Sequence, residues 1–253
     1  MATAPEMSRE YADASPFPHI VLDGRFPADR LRAVAGEVSR MGSEPDPDRS
    51  VYAQRQKRTV STRDEMGLQT LALIDEMNGP AFLAWLEELT GICGLEPDPG
   101  LLGGGVHRMR RGGYLKIHSD FNWHRRLQLH RRINVLLYLN ENWREEWGGA
   151  LELWHTDMRA CAVRYAPVFN RMVIFSTTDD SFHGHPEPLA CPEDVTRDSI
   201  ALYYYSAQPA PGRKFIHSEL TNYQRPDGGW FGPRHLMHQM MLRTPGLRRV
   251  LGR

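Results

Sequence analysis

Apolar residues recur at helical spacing in the first third of the chain and at shorter intervals after it. In residues 27–41, for example, Leu31, Val34 and Val38 repeat every three to four positions, as on the buried face of a helix. Residues 42–64 are polar and show no such period. The pattern predicts a strand at residues 18–26 and three helices at residues 27–41, 67–77 and 80–89.

From Leu101 onward the apolar runs are short and are broken by Gly, Pro, Asn and Asp, which is typical of closely spaced strands. The predicted strands are residues 101–110, 113–119, 131–140, 149–155, 171–176, 182–186 and 197–206. Residues 140–149 and 159–170 are predicted surface loops, and a final helix is predicted at residues 233–242. The expected fold class is therefore mainly β with flanking helices, an α+β arrangement.

No repeat, low-complexity tract or linker divides the 253 residues into independent units. We expect a single domain with three parts. Residues 1–100 supply an N-terminal strand and supporting helices that pack on the core, residues 101–209 form the β-rich core, and residues 210–253 form a C-terminal extension. With 41% hydrophobic and 25% charged residues, the composition is that of a globular protein.

The charges do not indicate a polyanionic partner. Lys plus Arg and Asp plus Glu number 31 each, so no net field favours nucleic acid or an anionic membrane. The first residues lack the apolar core of a signal peptide and no stretch approaches a membrane span, so we expect a cytoplasmic protein. The three cysteines are widely separated and favour neither a disulfide framework nor a thiolate zinc site. The eleven histidines are more informative, because imidazole is the commonest metal ligand.

His118 and Asp120 are two positions apart in the segment GYLKIHSD. On a strand both side chains lie on one face, so an imidazole nitrogen and a carboxylate oxygen can reach one metal ion. A second histidine from a distant strand would complete the facial triad that is typical of non-haem iron(II) oxygenases. His183 and His185 both qualify by position, because they share a face if their segment is extended. Alone, the His-x-Asp spacing is weak evidence in a chain with eleven histidines.

A series of later motifs strengthens the interpretation. In order, they are residues 133–140 (INVLLYLN), 148–154 (GGALELW), 170–176 (NRMVIFS), 182–188 (FHGHPEP) and 197–205 (RDSIALYYY). With the His-x-Asp pair, this series resembles the prolyl 4-hydroxylase-like branch of the iron(II)/2-oxoglutarate dioxygenase superfamily, over roughly residues 101–205. The resemblance implies a double-stranded β-helix core, which is a cupin-like jelly roll.

The resemblance also implies roles for individual residues. Carried over by position, the catalytic metal ligands are His118, Asp120 and His183, because the distal ligand of the family precedes Gly in a His-Gly-x-Pro-Glu-Pro context. His185 then becomes an outer-shell or substrate-side residue. Iron(II) is the implied metal, and the basic residue on the following strand is Arg197.

Three residues are candidates for binding the co-substrate 2-oxoglutarate. Arg197 offers planar, permanently charged recognition of the carboxylate that does not chelate the metal. Ser199, two residues along the same strand face, can add a hydrogen bond. Tyr114, four residues before His118 on the same alternating face, is a further candidate. The Arg-rich runs at residues 108–111 and 130–132 are instead predicted to face outward.

The resemblance implies an enzyme that consumes O2 and 2-oxoglutarate, with ascorbate as reductant, and releases succinate and CO2. The expected reaction is hydroxylation, or desaturation or cyclisation, of an unactivated C–H; the intact Asp120 argues against halogenation. The expected substrate is a small molecule, amino-acid-derived or a natural-product intermediate, and the protein a monomer or homodimer. The alternatives are a peptidyl, prolyl-type hydroxylase acting on a protein, a cupin-like metal-dependent non-oxidative enzyme, and a non-catalytic binding barrel.

Overall fold

The computed structural model describes residues 4–46, 53–211, 218–225 and 228. Its helices are α1 (Ala4–Asp13), α2 (Ala28–Arg40), α3 (Leu68–Met77) and α4 (Pro80–Thr90). The last three confirm the predicted helices, whereas α1 was not predicted. Proline at the start of α4 and Gly91 in left-handed geometry at its end are the expected boundary residues. The helix predicted at residues 233–242 lies outside the described residues.

Twelve short strands follow or alternate with these helices in the described part of the chain. They are β1 (His19–Asp23), β2 (Gln54–Val60), β3 (Glu96–Pro97), β4 (Gly105–Ser119), β5 (Trp123–His124), β6 (Leu129–Tyr138), β7 (Leu151–Trp154), β8 (Cys161–Tyr165), β9 (Arg171–Ser176), β10 (His183–His185), β11 (Arg197–Ser206) and β12 (Asn222–Tyr223). No helix among the described residues is long and apolar enough to span a bilayer.

The strands form one antiparallel sheet in the order β1-β9-β6-β11-β4-β10-β7-β8. In addition, β2 and β12 pair with β4, β3 pairs with β11, and β5 pairs with β6. The sheet curls into a half-barrel of the double-stranded β-helix type, flanked by the four helices. The predicted fold class is confirmed.

Six of the described strands differ from the prediction, and three of them, β3, β5 and β12, are two-residue strands that it did not include. The two strands predicted on either side of residues 111–112 are one long strand, β4, which continues through Gly112 because glycine accepts its positive φ of 74°. β2 lies in the polar stretch, and β8 lies in a predicted loop. Both carry mostly half-buried residues, so their sequences lack the apolar alternation that marks a covered strand.

Side-chain alternation along β11 separates a helix-facing side of the sheet from a cavity-facing side. Ile200, Leu202 and Tyr204 are buried in the large hydrophobic cluster that the helices share with the sheet. Arg197 and Ser199, at the intervening positions, line a cavity inside the curl. The helices therefore support one face of the sheet, and the opposite face is available for polar chemistry.

Candidate active site

Paired strands bring three potential metal ligands together. His183 on β10 lies directly opposite His118 on β4, and Asp120 follows the end of β4. Asp120 Oδ1 is 3.6 Å from His118 Nε2, and Asp120 Oδ2 is 3.4 Å from His183 Nε2. All three ligand atoms lie within 4.8 Å of one another. The structure thus gathers the three residues that the sequence singled out, from two separate segments.

The backbone fixes the orientation of both imidazoles. His118 Nδ1 is 2.8 Å from the carbonyl oxygen of Lys116, and His183 Nδ1 is 2.9 Å from that of Ser181. A carbonyl oxygen only accepts, so each Nδ1 carries a proton and each Nε2 is directed toward Asp120. Burial and the neighbouring His118 lower the pKa of His183 to about 4, which keeps its ring neutral. Two imidazoles oriented in this way are suited to bind one metal ion.

Asp120 is largely shielded from solvent but remains ionised. Burial alone would raise its pKa, but Arg131, His183 and His118 outweigh this effect and hold the pKa well below its ordinary value. Arg131 Nη2 is 3.0 Å from Asp120 Oδ2, and the Asn134 amide donates to the same oxygen at 2.7 Å. Arg131 Nε in turn donates to Asn134 Oδ1 at 2.9 Å. This network orients the carboxylate toward the two imidazoles.

The outward orientation predicted for the Arg-rich runs is wrong for two arginines. Arg131 is 2% exposed, and its guanidinium lies 3.5 Å from the centre of the Tyr203 ring. Arg108, 4% exposed, is ion-paired with Asp198 at 3.1 Å. In β6 the cause is a register irregularity opposite Tyr204 and Tyr205, which brings Arg131 to the cavity side. Strict alternation would have placed it on the helix-facing side, with Ile133.

Arg197 and Ser199 face a cavity of about 170 Å³ that His118, Asp120 and His183 also line. Arg197 is 7% exposed; its Nε donates to the Gly149 carbonyl at 2.7 Å, and its Nη2 donates to the Tyr138 hydroxyl at 3.2 Å. Nη1 has no hydrogen bond to any described residue. A fixed guanidinium with a remaining donor at the cavity wall can receive a carboxylate.

Gly149 allows this placement of Arg197. Its φ of 72° is unfavourable for other residues, and an added Cβ would come within 2.5 Å of Leu189 and 3.0 Å of the Arg197 side chain. A glycine here therefore permits the close approach of backbone and guanidinium. The GGALELW motif of the sequence contains this residue.

Tyr114 is not among the residues that line this cavity. The pairing of β4 with β10 shifts between Leu115 and His118, so strict alternation does not hold between Tyr114 and His118. Leu115 lines the cavity instead, and the Tyr114 ring packs against Lys116, whose Nζ is 4.5 Å from the ring centre. The argument that placed Tyr114 near the co-substrate depends on an alternation that the strand does not keep.

The three-residue cluster fits a ferrous ion. Two imidazole nitrogens and one carboxylate oxygen are the donor set of mononuclear iron(II) oxygenases, and they leave positions for further ligands. Ligand atoms at right angles on an ion about 2.1 Å away are about 3 Å apart, close to the separations seen here. Arg197 on the same cavity supplies the positive charge that a chelating oxo-acid with a second carboxylate requires.

Comparison with known families agrees with this geometry. Residues 104–205 match the family model described as the 2OG-Fe(II) oxygenase superfamily. This segment of the chain resembles the superfamily and contains His118, Asp120, His183 and Arg197. The match and the triad together imply iron(II) and 2-oxoglutarate, and they argue against the non-oxidative cupin-like alternative.

One similar protein of known activity is prolyl 3-hydroxylase OGFOD1 of Mus musculus. It is 27% identical over 199 residues, which are 76% of this chain and 33% of the mouse protein. The matched region therefore corresponds to about a third of that relative. A prolyl hydroxylase is therefore among the proteins that are similar in sequence to this chain.

Solved structures with a similar fold contain different bound molecules. A prolyl hydroxylase of Trichoplax adhaerens, in complex with a peptide fragment of the hypoxia inducible factor oxygen degradation domain, has a TM-score of 0.57 at 17% identity, covering 80% of this chain and 89% of its own. HygX of Streptomyces hygroscopicus, with nickel, 2-oxoglutarate and hygromycin B bound, has a TM-score of 0.50 at 13% identity, covering 81% and 91%. These likenesses support the fold and do not choose between substrate classes.

A second cavity, of about 690 Å³, adjoins the first. Gly103 and Phe121 line both cavities. The wall of the second cavity also includes Trp123 and the exposed side chains of Arg125 and Arg126. The segment that follows Asp120 therefore lies beside the cavity that the three potential metal ligands line.

Proposed function

We propose that this chain is an iron(II)- and 2-oxoglutarate-dependent hydroxylase that acts on a residue within a peptide or protein, with prolyl hydroxylation as the leading candidate. The observation that carries the proposal is the convergence of His118 Nε2, His183 Nε2 and an Asp120 oxygen on one point beside Arg197. In this proposal His118, Asp120 and His183 hold the iron. Arg197 and Ser199 bind the distal carboxylate of 2-oxoglutarate.

The residues of the chain prepare the metal and co-substrate sites. Iron(II), with O2 and 2-oxoglutarate, supplies the oxidant that inserts one oxygen atom into a C–H bond, while the oxo-acid becomes succinate and CO2. His118 and His183 are held by backbone carbonyls, so each ring is oriented to offer Nε2 to the metal. The Asn134 and Arg131 contacts hold Asp120 ionised and oriented. The buried position of these groups limits the access of water.

Two observations support a peptide substrate over the small molecule that the sequence alone suggested. The sequence relative is a prolyl 3-hydroxylase. The cavity of about 690 Å³ beside the triad cavity offers room for groups on either side of a hydroxylated residue. Hydroxylation is favoured over desaturation or cyclisation because it is the reaction named for that relative, and ascorbate is the reductant that we expect to sustain turnover.

The substrate class can be tested by coupled succinate release. Purified protein with iron(II), ascorbate and 2-oxoglutarate would be given a library of proline-containing peptides and a matched library of free amino acids and small metabolites. We expect succinate above the uncoupled background with peptides, together with a mass increase of one oxygen atom in the product. Turnover with small molecules alone would overturn the peptide assignment and leave the oxygenase assignment intact.

Replacing Arg197 by alanine tests the co-substrate site. Loss of a buried, charge-assisted pairing with the distal carboxylate should raise the KM for 2-oxoglutarate about thirtyfold or more, equivalent to ~2 kcal/mol. Iron affinity should change little, because Arg197 is not a proposed ligand. The matched control is Arg159→Ala, since Arg159 is 87% exposed in a loop away from the cavity. An unchanged 2-oxoglutarate requirement would remove Arg197 from this role.

A further inference from the structure

His185 is a second histidine at the wall of the triad cavity. It ends β10, two residues after His183, and pairs with Leu115 on β4. The residue is 5% exposed, yet it lines the same cavity as Arg197 and Ser199. The irregular pairing of β10 with β4 accompanies this inward placement.

The imidazole of His185 has no hydrogen bond to any residue that the structure describes, at either ring nitrogen. Nδ1 is in addition fully shielded from solvent. A buried donor or acceptor without a partner costs about 1–3 kcal/mol, so such groups in native proteins require a specific explanation. His107, on the same cavity wall, does not share this property, because its Nε2 lies 2.9 Å from the Gly103 carbonyl oxygen. Since Nδ1 is shielded and Nε2 is not, Nε2 is the ring nitrogen that a ligand in the cavity can reach.

The surroundings of His185 indicate which ligand group it contacts. Arg197, Ser199 and Lys57 line the same cavity as His185. The imidazole carries at least one N–H donor in either protonation state. A donor in a cavity with two cationic side chains is suited to an anionic oxygen.

We propose that His185 donates a ring N–H to the distal carboxylate of 2-oxoglutarate, next to Arg197. This inference rests on the proposed function, since it assigns one more contact to the co-substrate of the same site. It makes His185 a binding residue for the co-substrate and not an alternative iron ligand. A carboxylate has several acceptor positions, so it can be shared by Arg197, Ser199 and His185.

The test is a comparison of two ligands with two proteins. 2-Oxoglutarate and 2-oxopentanoate have the same chelating end, but 2-oxopentanoate lacks the distal carboxylate. Calorimetric titrations with iron(II) under anaerobic conditions give the affinity of each ligand for the wild-type protein and for His185→Leu. We expect the variant to lose about tenfold or more in affinity for 2-oxoglutarate. Its affinity for 2-oxopentanoate and for iron(II) should stay within about threefold of wild type.

Control variants separate this role from general effects of the substitution. His155→Leu makes the same change at an exposed histidine outside the cavity and should leave both affinities unchanged. His185→Gln keeps a side-chain donor and should lose less affinity for 2-oxoglutarate than His185→Leu does. Equal losses for both ligands, or no loss for either, would overturn the role of His185. Failure of the wild-type protein to bind 2-oxoglutarate in a metal-dependent manner would instead overturn the proposed function.

A measurement on the wild-type protein covers the case in which His185→Leu fails to fold. With zinc(II) as a diamagnetic substitute and nitrogen-15-labelled histidine, addition of 2-oxoglutarate should produce a slowly exchanging ring N–H signal that His185→Gln lacks. Addition of 2-oxopentanoate should not produce it. The same signal with both ligands would contradict a contact to the distal carboxylate.

Discussion

Replacing Asp120 by alanine is expected to lower the turnover of 2-oxoglutarate to succinate by about a thousandfold or more, equivalent to ~4 kcal/mol. The change removes the only negatively charged member of the proposed ligand set, so iron(II) affinity should fall with activity. Succinate release and equilibrium iron binding, measured on the same preparation, check both effects. Asp157→Ala is the matched control, because Asp157 is half-exposed on the loop after β7.

His183→Ala provides a second test of the same centre. Removing Asp120 also leaves the buried Arg131 without its anionic partner, which can destabilise the fold. His183 is neutral, so its removal leaves no unpaired buried charge. We expect a comparable loss of activity with a smaller change in the unfolding midpoint. Substantial iron-dependent turnover in both variants would mean that the metal is bound elsewhere.

Replacing Arg131 by leucine should lower the free energy of unfolding of the metal-free protein by about 3–5 kcal/mol. The substitution leaves Asp120 buried with only the Asn134 amide as a close donor, and it removes the packing of the guanidinium on Tyr203 and Phe121. Urea unfolding followed by circular dichroism measures the loss. Arg144→Leu, at a side chain 67% exposed, should change the same quantity by less than about 0.5 kcal/mol.

A double-mutant cycle separates the ion pair from the packing. If Arg131 stabilises the fold by compensating the Asp120 charge, Asp120→Asn should reduce the further cost of Arg131→Leu by about 1 kcal/mol or more. If packing alone is responsible, the two changes should be additive. Additivity would leave Arg131 as a structural residue without an electrostatic role at the site.

The helices and the central strands could be predicted because each buries one face. Leu31, Val34 and Val38 are fully buried on α2, as their spacing indicated. β2 could not be found in this way, because its partner β4 supplies the pairing while its own side chains stay half-exposed. α1 was not predicted because its sequence has few apolar residues and prolines lie nearby. Its burial of Tyr11 depends on tertiary contacts.

The candidate site also has some features that the sequence could predict and others that it could not. His118 and His183 come together because they are directly paired across β4 and β10, and Asp120 follows the end of β4. The orientation of Arg131 was misjudged because a strand irregularity shifts the alternation by one residue, and a shift of this kind leaves no trace in composition. The role of Tyr114 stays a prediction, although the alternation that suggested it is broken by the irregular pairing of β4 with β10. The burial of Tyr138 against Arg197 likewise depends on the closure of the curl, which brings β6 beside β11.

The central claim is that this protein binds iron(II) and 2-oxoglutarate together at His118, Asp120 and His183. The most direct measurement is an anaerobic titration with 2-oxoglutarate in the presence of iron(II), followed by the weak visible absorption band of the iron–2-oxoglutarate chelate. We predict a saturable band at one equivalent per chain that requires both components and is absent from His183→Ala. No band with the wild-type protein, or an equal band with His183→Ala, would contradict the account.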